Sequence, residues 1–131
     1  MSPAARTVNL FGIYLVAVGV TLVVIPNVLA GVFGIPPTDE PWIRMLGLLV
    51  LALAGYYLVA ARSELTVFFR ATVAVRVVVG AGLIVIVALW GYWMAVVFGL
   101  ADIAGALWTR AVLADEQPER QATPAEASDP V

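Results

Sequence analysis

Residues 70–110 read RATVAVRVVVGAGLIVIVALWGYWMAVVFGLADIAGALWTR. A single helix through this stretch would be about 60 Å long at about 1.5 Å per residue, twice the roughly 30 Å hydrocarbon core of a bilayer. Gly91 lies in the group Trp90-Gly91-Tyr92-Trp93, and such aromatic residues concentrate at membrane interfaces. The stretch therefore predicts two membrane-spanning helices, about 69–89 and 92–112, joined by a tight turn at Gly91.

The composition of the whole chain agrees with this class of protein. Of its 131 residues, 63% are hydrophobic and 12% are charged, whereas about 25% are charged in an ordinary soluble domain. A soluble protein this small has a large surface relative to its volume and needs many polar residues to cover it. The sequence therefore predicts an all-α integral membrane protein, and its length suits one small bundle.

Two further apolar stretches complete a predicted set of four spans. The first covers about 8–25 and ends at Pro26, and the second covers about 42–61. Each is close to the roughly 20 apolar residues that a spanning helix needs. A secretory signal peptide is the alternative for the first stretch, with Val28-Leu29-Ala30 as its cleavage site, although the apolar run is long for that purpose.

The remaining segments are predicted to lie outside the bilayer core. Residues 26–37, PNVLAGVFGIPP, suit a short helix in the membrane interface that ends before the two prolines. Residues 113–131 hold five acids, one arginine and three prolines, and are predicted to form a disordered acidic cytoplasmic tail. This tail accounts for the net charge of −2, because the membrane domain over 1–112 holds six arginines and four acids.

The arginines predict the orientation of the spans. In an antiparallel four-helix bundle, Arg6, Arg62, Arg70 and Arg110 would share one side of the membrane, and Arg44 would lie on the other. Positive residues concentrate in cytoplasmic loops. Both termini are therefore predicted to lie in the cytoplasm.

Arg76 and Asp102 are the charges that lie well away from the ends of the predicted spans, where a charge is energetically costly and implies a structural or functional role. Arg76 lies about 9 Å beyond Arg70, and Asp102 about 12 Å before Arg110, by the helical rise. Folding the chain at Gly91 places the two within reach, which predicts an intramembrane ion pair. It would serve either to fix helix packing or as a ligand or ion site, and the alternative is an Arg76 that snorkels to the surface without a partner.

Other residues at similar depth form a candidate polar cluster with this pair. Tyr14 and Tyr56 lie at about the depth of Arg76, and Thr72 lies one turn before it, although Tyr56 also suits an interfacial anchor. Small residues let helices approach closely in membranes, so glycines on the last two spans are predicted to mark packing faces. The glycines concerned are Gly80, Gly99 and Gly105. The helix packed there belongs either to the same chain or to a second copy.

Three segments resemble a known family. They are PWIRMLGLLVLALAGYYLVAARSEL at 41–65, FFRATVAVR at 68–76 and GLADIAGALWT at 99–109. Together with the hydrophobic layout over about 8–112, they resemble the small four-helix bacterial membrane proteins of the DoxX-like group. The resemblance implies a four-helix bundle in the bacterial inner membrane. Some members of that group are linked to redox partners or quinone-linked oxidoreductase complexes, others act as assembly factors, and they share no catalytic motif.

The residue types narrow the function further. The chain has no cysteine and no histidine, which excludes disulfides and thiolate or imidazole metal sites, so neither a metal nor a cofactor is expected. With one embedded acid, no nucleophile–base pair can be assembled, and an enzyme is not expected. Nor is a nucleic-acid partner expected.

Two functions remain open. The first is a non-catalytic accessory or scaffold subunit that contacts membrane lipids and holds a lipid, quinone or other apolar ligand between its helices. The second is a small oligomeric transporter or channel that uses Arg76 and Asp102. Against a simple proton relay, an adjacent arginine favours the ionised carboxylate. A second copy or another membrane protein is the expected protein partner in either case.

Overall fold

The computed structural model describes residues 1–91 and 94–122, and these form helices and no β-strand. The helices are α1 (Pro3–Val24), α2 (Pro26–Val32), α3 (Trp42–Arg62), α4 (Thr66–Trp90) and α5 (Met94–Ala122). Within this described part, four helices are long and apolar enough to cross a membrane, namely α1, α3, α4 and the part of α5 from Val96 to Glu116. The predicted all-α class is therefore confirmed, as is the predicted number of helices that are long and apolar enough to span a membrane.

Prolines and glycines set several of the helix boundaries. α1 ends at Val24 and α2 begins at Pro26, because proline lacks the N–H that would continue the first helix but suits the first turn of a new one. Gly34, with a φ of 69°, follows α2. The segment predicted over 26–37 is therefore helical only to Val32, and its place in the membrane interface stays a prediction.

The chain turns again between the last two spans. α4 ends at Trp90, and Gly91 has a φ of 80°, a left-handed conformation that a residue without a Cβ adopts at low cost. The turn predicted at Gly91 therefore begins there. Tyr92 and Trp93, the second half of the predicted aromatic group, lie outside the described residues.

α5 continues well past the predicted end of the membrane domain at residue 112. Residues 113–122 are helical, so the prediction that disorder begins at 113 is wrong for this stretch. Leu113 is buried in the hydrophobic core, and Glu116 Oε1 accepts a hydrogen bond of 2.7 Å from the backbone N–H of Ala4. These contacts with the remainder of the bundle stabilise turns that composition alone assigns to a polar tail. The predicted disorder of 123–131 falls outside the described residues.

Two carboxylates bind the first turn of α1. Glu64 Oε1, in the turn between α3 and α4, accepts a hydrogen bond of 2.8 Å from Ser2 N–H and lies 3.2 Å from the terminal amino group. Glu116 binds Ala4 N–H from α5. The first N–H groups of a helix have no partner within the helix, and negative charge is favourable there. The start of α1 is thereby fixed to two other parts of the chain.

The long helices pack as two pairs. α1 packs chiefly against α3 and α4 against α5, and α1 also contacts α5. In each pair two glycines meet: a Cβ on Gly19 would lie 3.1 Å from the Gly47 carbonyl oxygen, and a Cβ on Gly80 2.7 Å from that of Gly99. Gly80 and Gly99, predicted from the sequence as packing residues, thus lie against each other, which is how small residues bring helices together.

Most of the large apolar side chains point away from the protein interior. Between 18% and 28% of the residues in the most apolar window of each candidate span are buried within the chain. Leu49, Val67 and Val78 are among the many exposed aliphatic residues. Such a surface would make a soluble protein aggregate, but it is the surface that a lipid-facing bundle requires.

We expect Glu116→Ala to destabilise the fold, because it leaves the Ala4 N–H without its charged acceptor. By analogy with lost helix caps, the free energy of unfolding should fall by about 1–2 kcal/mol. Thermal unfolding in detergent, followed by circular dichroism, measures this change. The neighbouring Asp115→Ala is the control, because Asp115 is exposed. Equal melting temperatures for the two variants would contradict the role assigned to Glu116.

Gly80→Ala should separate α4 from α5, since its Cβ would lie 2.7 Å from the Gly99 carbonyl oxygen. We expect a loss of about 1–3 kcal/mol, as in other overpacked contacts. The matched control is Gly82→Ala on the same helix, where a Cβ meets nothing within 4 Å. Because alanine is the better helix former, that variant should be neutral or slightly stabilising. Equal losses in the two would show that close packing at Gly80 is unimportant.

Candidate functional site

The structure brings together Arg76 of α4 and Asp102 of α5. Arg76 Nε donates a hydrogen bond of 3.1 Å to Asp102 Oδ1, and the two side chains are 6% and 17% exposed. Both residues lie within the candidate membrane spans. The ion pair predicted from depth is therefore present in the fold, and the alternative of an Arg76 that snorkels without a partner is wrong. Whether the pair also forms a ligand site stays a prediction.

Residues from two other helices hold the Arg76 guanidinium. The ring of Phe11 on α1 lies 3.5 Å from Arg76 Cζ, measured to the ring centroid, which is a close cation–π contact. Gly105 on α5 lies so close that a Cβ there would collide with the guanidinium. Gly105 was predicted to let helices approach, but its missing side chain instead makes room for this arginine. The sequence signal was its place one turn from Asp102.

Tyr57, rather than Tyr56, belongs to the interior polar cluster. Tyr57 is 4% exposed and its hydroxyl shares a hydrogen bond with Thr72, one of the predicted cluster residues. Tyr56 is 68% exposed on the outer face, so its predicted membership is wrong, whereas its alternative role as an interfacial anchor stays a prediction. Counting along a helix gives depth, but successive residues face different ways because a turn takes about 3.6 residues. Gly47 and Ala54, both buried on α3, mark the face that Tyr57 continues.

The predicted cluster is linked through an aromatic side chain. The Phe11 ring lies 5.0 Å from the Tyr57 ring and 5.7 Å from the Tyr14 ring, by centroids, and it also contacts Arg76. Phe11 thus contacts both Tyr57, which bonds to Thr72, and Arg76, which pairs with Asp102. Sequence reasoning missed Phe11, which is an ordinary apolar residue of the first span when read by itself.

A second polar contact joins α1 to α5 and was also missed. The hydroxyls of Thr7 and Thr109 lie 3.0 Å apart and both residues are buried. Thr7 lies 2.8 Å from the Ala4 carbonyl oxygen, and Thr109 lies 3.0 Å from that of Gly105. Each hydroxyl has one proton, so one donates to its backbone carbonyl while the other donates across the helices. This contact sits two turns from the ion pair on the same stripe of α5.

A cleft of about 160 Å³ opens between α1 and α5 at the ion pair. Its walls are the mainly apolar side chains of Leu10, Phe11, Tyr14, Ala101 and Trp108, and its polar residues are Thr7, Arg76 and Asp102, with Gly105 beside them. Ordinary pockets for drug-sized ligands hold about 300–1,000 Å³, whereas a cavity of about 150 Å³ takes one benzene ring. The cleft therefore has room for one ring or a short length of acyl chain.

Part of the ion pair faces this cleft with hydrogen-bonding capacity to spare. A guanidinium has five N–H donors and a carboxylate has about four acceptor positions, and one bond joins Nε to Oδ1. Among the described residues, no buried side-chain nitrogen or oxygen lacks a partner. Arg76 and Asp102 both line the cleft. A ligand in the cleft can therefore accept from Arg76 and donate to Asp102.

The described residues offer little other chemistry. Among the side chains that the structure describes, no three histidine, cysteine, aspartate or glutamate residues are grouped so that they could hold a metal ion. No protein-family model matches the chain, and comparisons with curated proteins and with solved structures give no match either. The DoxX-like resemblance therefore stays a prediction, and the site has to be interpreted from its own geometry.

Removing one partner of the ion pair should lower the free energy of unfolding by more than removing both partners does. Arg76→Met leaves a carboxylate unpaired in the bundle and Asp102→Asn leaves an arginine unpaired, and a stranded buried charge costs about 3–5 kcal/mol. The double variant strands no charge, so it should be more stable than the sum of the single losses predicts. Thermal unfolding of all four proteins in one detergent measures the coupling. Strictly additive losses would show that the pair contributes no mutual stabilisation.

Proposed function

We propose that this chain is a non-catalytic, multi-pass membrane protein that holds the ring of a neutral, quinone-like ligand in the cleft between α1 and α5. It would act as an accessory or scaffold subunit in a bacterial inner membrane, as the resemblance to the DoxX-like group implies. The observation that carries the proposal is the Arg76–Asp102 pair, which lies in the wall of an apolar cleft.

The charge balance of the site favours a neutral head group. The guanidinium and the carboxylate cancel each other, so a charged ligand in this environment of low dielectric would have no counter-charge of its own. A quinone carbonyl accepts hydrogen bonds and a quinol hydroxyl also donates them, which matches Arg76 and Asp102 respectively.

The shape and surroundings of the cleft also suit a ring. Phe11, Tyr14 and Trp108 supply flat aromatic surfaces against which a ring can stack. The volume of about 160 Å³ is that of a single-ring site. Leu10 and Trp108 are at the same time exposed on the outer surface, so an isoprenoid tail would leave the cleft directly into lipid.

The proposal includes an antiparallel arrangement with both termini in the cytoplasm. Its support is the junction at the start of α1, where Glu64 of the α3–α4 turn and Glu116 of α5 bind the first residues of the chain. Four spans connected in this way alternate in direction. Arg62 and Arg70 flank the same turn, and the excess of arginine at that end favours the cytoplasmic side.

A cleft-filling variant tests the proposal. We expect purified protein to bind a short-chain ubiquinone saturably, measured as quenching of tryptophan fluorescence. Ala101→Phe places a ring in the cleft and should weaken binding by about tenfold or more, equivalent to about 1.4 kcal/mol. Ala104→Phe is the matched control, because Ala104 is exposed on the same helix and does not line the cleft.

Equal affinities for the two variants, or no saturable binding by the unmodified protein, would overturn the ligand proposal. The transporter alternative predicts a different outcome, which a flux measurement on the purified protein detects. Reconstituted vesicles would then show a substrate-dependent proton or ion flux that Asp102→Asn abolishes. Such a flux would replace the scaffold proposal with transport through the Arg76–Asp102 site.

A further inference from the structure

A second groove lies on the surface between α4 and α5, apart from the cleft. Its volume is about 740 Å³. Its apolar wall consists of Val73, Ala74, Val77 and Val78 from α4 with Leu113 and Ala114 from α5. Arg70 and Arg110 complete the lining. The groove is thus mainly apolar and has two positive charges, one from each helix.

The two arginines have no counter-charge among the described residues. Among the side chains that the structure describes, which end at Glu116, ion pairs join the terminal amino group to Glu64 and Arg76 to Asp102. Arg70 and Arg110 take part in neither, and both are exposed. Two unpaired guanidiniums from neighbouring helices that line one groove attract an anion, and phosphate oxygens suit the planar donor geometry of arginine.

The order of charged and apolar residues along the groove suits an amphiphilic ligand. Arg70 lies near the start of α4, and Val73, Val77 and Val78 follow it along the apolar part of the helix. A ligand with its phosphate at Arg70 and Arg110 would therefore lay a hydrocarbon chain along these valines. Basic pockets between spanning helices on the cytoplasmic side of a membrane bind the headgroups of acidic lipids.

We propose that this groove is a binding site for one acidic phospholipid. Its phosphate lies between Arg70 and Arg110, and one acyl chain follows the apolar wall. The site is separate from the quinone-like ligand of the cleft, because the two share no lining residue. It rests on the chain's placement in a membrane but not on the cleft being occupied.

Native mass spectrometry of the delipidated full chain tests this site with phosphatidylglycerol as the probe. Arg70→Gln with Arg110→Gln should weaken phosphatidylglycerol binding by about tenfold or more, because each basic residue contributes about 1 kcal/mol of attraction to anionic lipid. Arg62→Gln is the matched control, since Arg62 is exposed in the last turn of α3 and does not line the groove. Equal affinity of the double variant and the control would overturn the proposal.

Two further arms separate a lipid from a free anion. Phosphatidylcholine should bind at least about tenfold more weakly than phosphatidylglycerol, since its headgroup has no net negative charge. Ala74→Trp fills the apolar wall and should weaken phosphatidylglycerol binding, whereas Ala101→Phe in the cleft should not. If inorganic phosphate competes fully and Ala74→Trp has no effect, the site binds a free anion and the lipid assignment is wrong. The Ala74→Trp arm decides the question even if the double arginine variant does not fold.

Discussion

The buried guanidinium of Arg76 is the constraint around which the bundle is arranged. A charge in a bilayer is stable only when other groups replace its water, and here residues of two other helices, α1 and α5, do so. Asp102 supplies the counter-charge at 3.1 Å, Phe11 covers the guanidinium with its ring, and Gly105 leaves the space. Each of these residues can reach the guanidinium only from one position along its helix and from one helix face. The arginine therefore fixes how α1, α4 and α5 are rotated relative to one another, which general hydrophobicity cannot do.

Close glycine contacts pack the two helices within each pair, whereas polar bonds connect one pair to the other. Within each pair, glycines let the backbones touch, as at Gly80 and Gly99. Between the pairs, the α1–α5 contacts include polar ones, such as the Thr7–Thr109 bond and the bond from Ala4 to Glu116. Lipid tails are as apolar as leucine, so apolar burial gives no preference for one helix pairing over another in a membrane. The polar bonds therefore determine which faces meet, and the cleft lies at this junction.

The sequence was sufficient to predict how far along a helix axis each residue lies. It was not sufficient to predict on which face of the helix a side chain lies. Hydropathy and helical rise were sufficient for the four spans and for the meeting of Arg76 with Asp102. They could not choose between Tyr56 and Tyr57, since adjacent residues have nearly the same depth but lie on different faces. They also placed the end of the last helix at residue 112, because the partner of Glu116 is Ala4, at the opposite end of the chain. Contacts so distant in sequence leave no local pattern.

The two candidate binding sites differ most in their charge. In the cleft, Asp102 competes for Arg76 and already neutralises it, so an anionic ligand would find no free counter-charge in this site of low dielectric. In the groove, Arg70 and Arg110 have no such competitor among the described residues. The ligands proposed for the two sites therefore differ in charge, neutral for the cleft and anionic for the groove, because the arginine is paired in one site and unpaired in the other. In this argument Asp102 is the residue that would exclude anions from the cleft, and among the described side chains no acid plays that part in the groove.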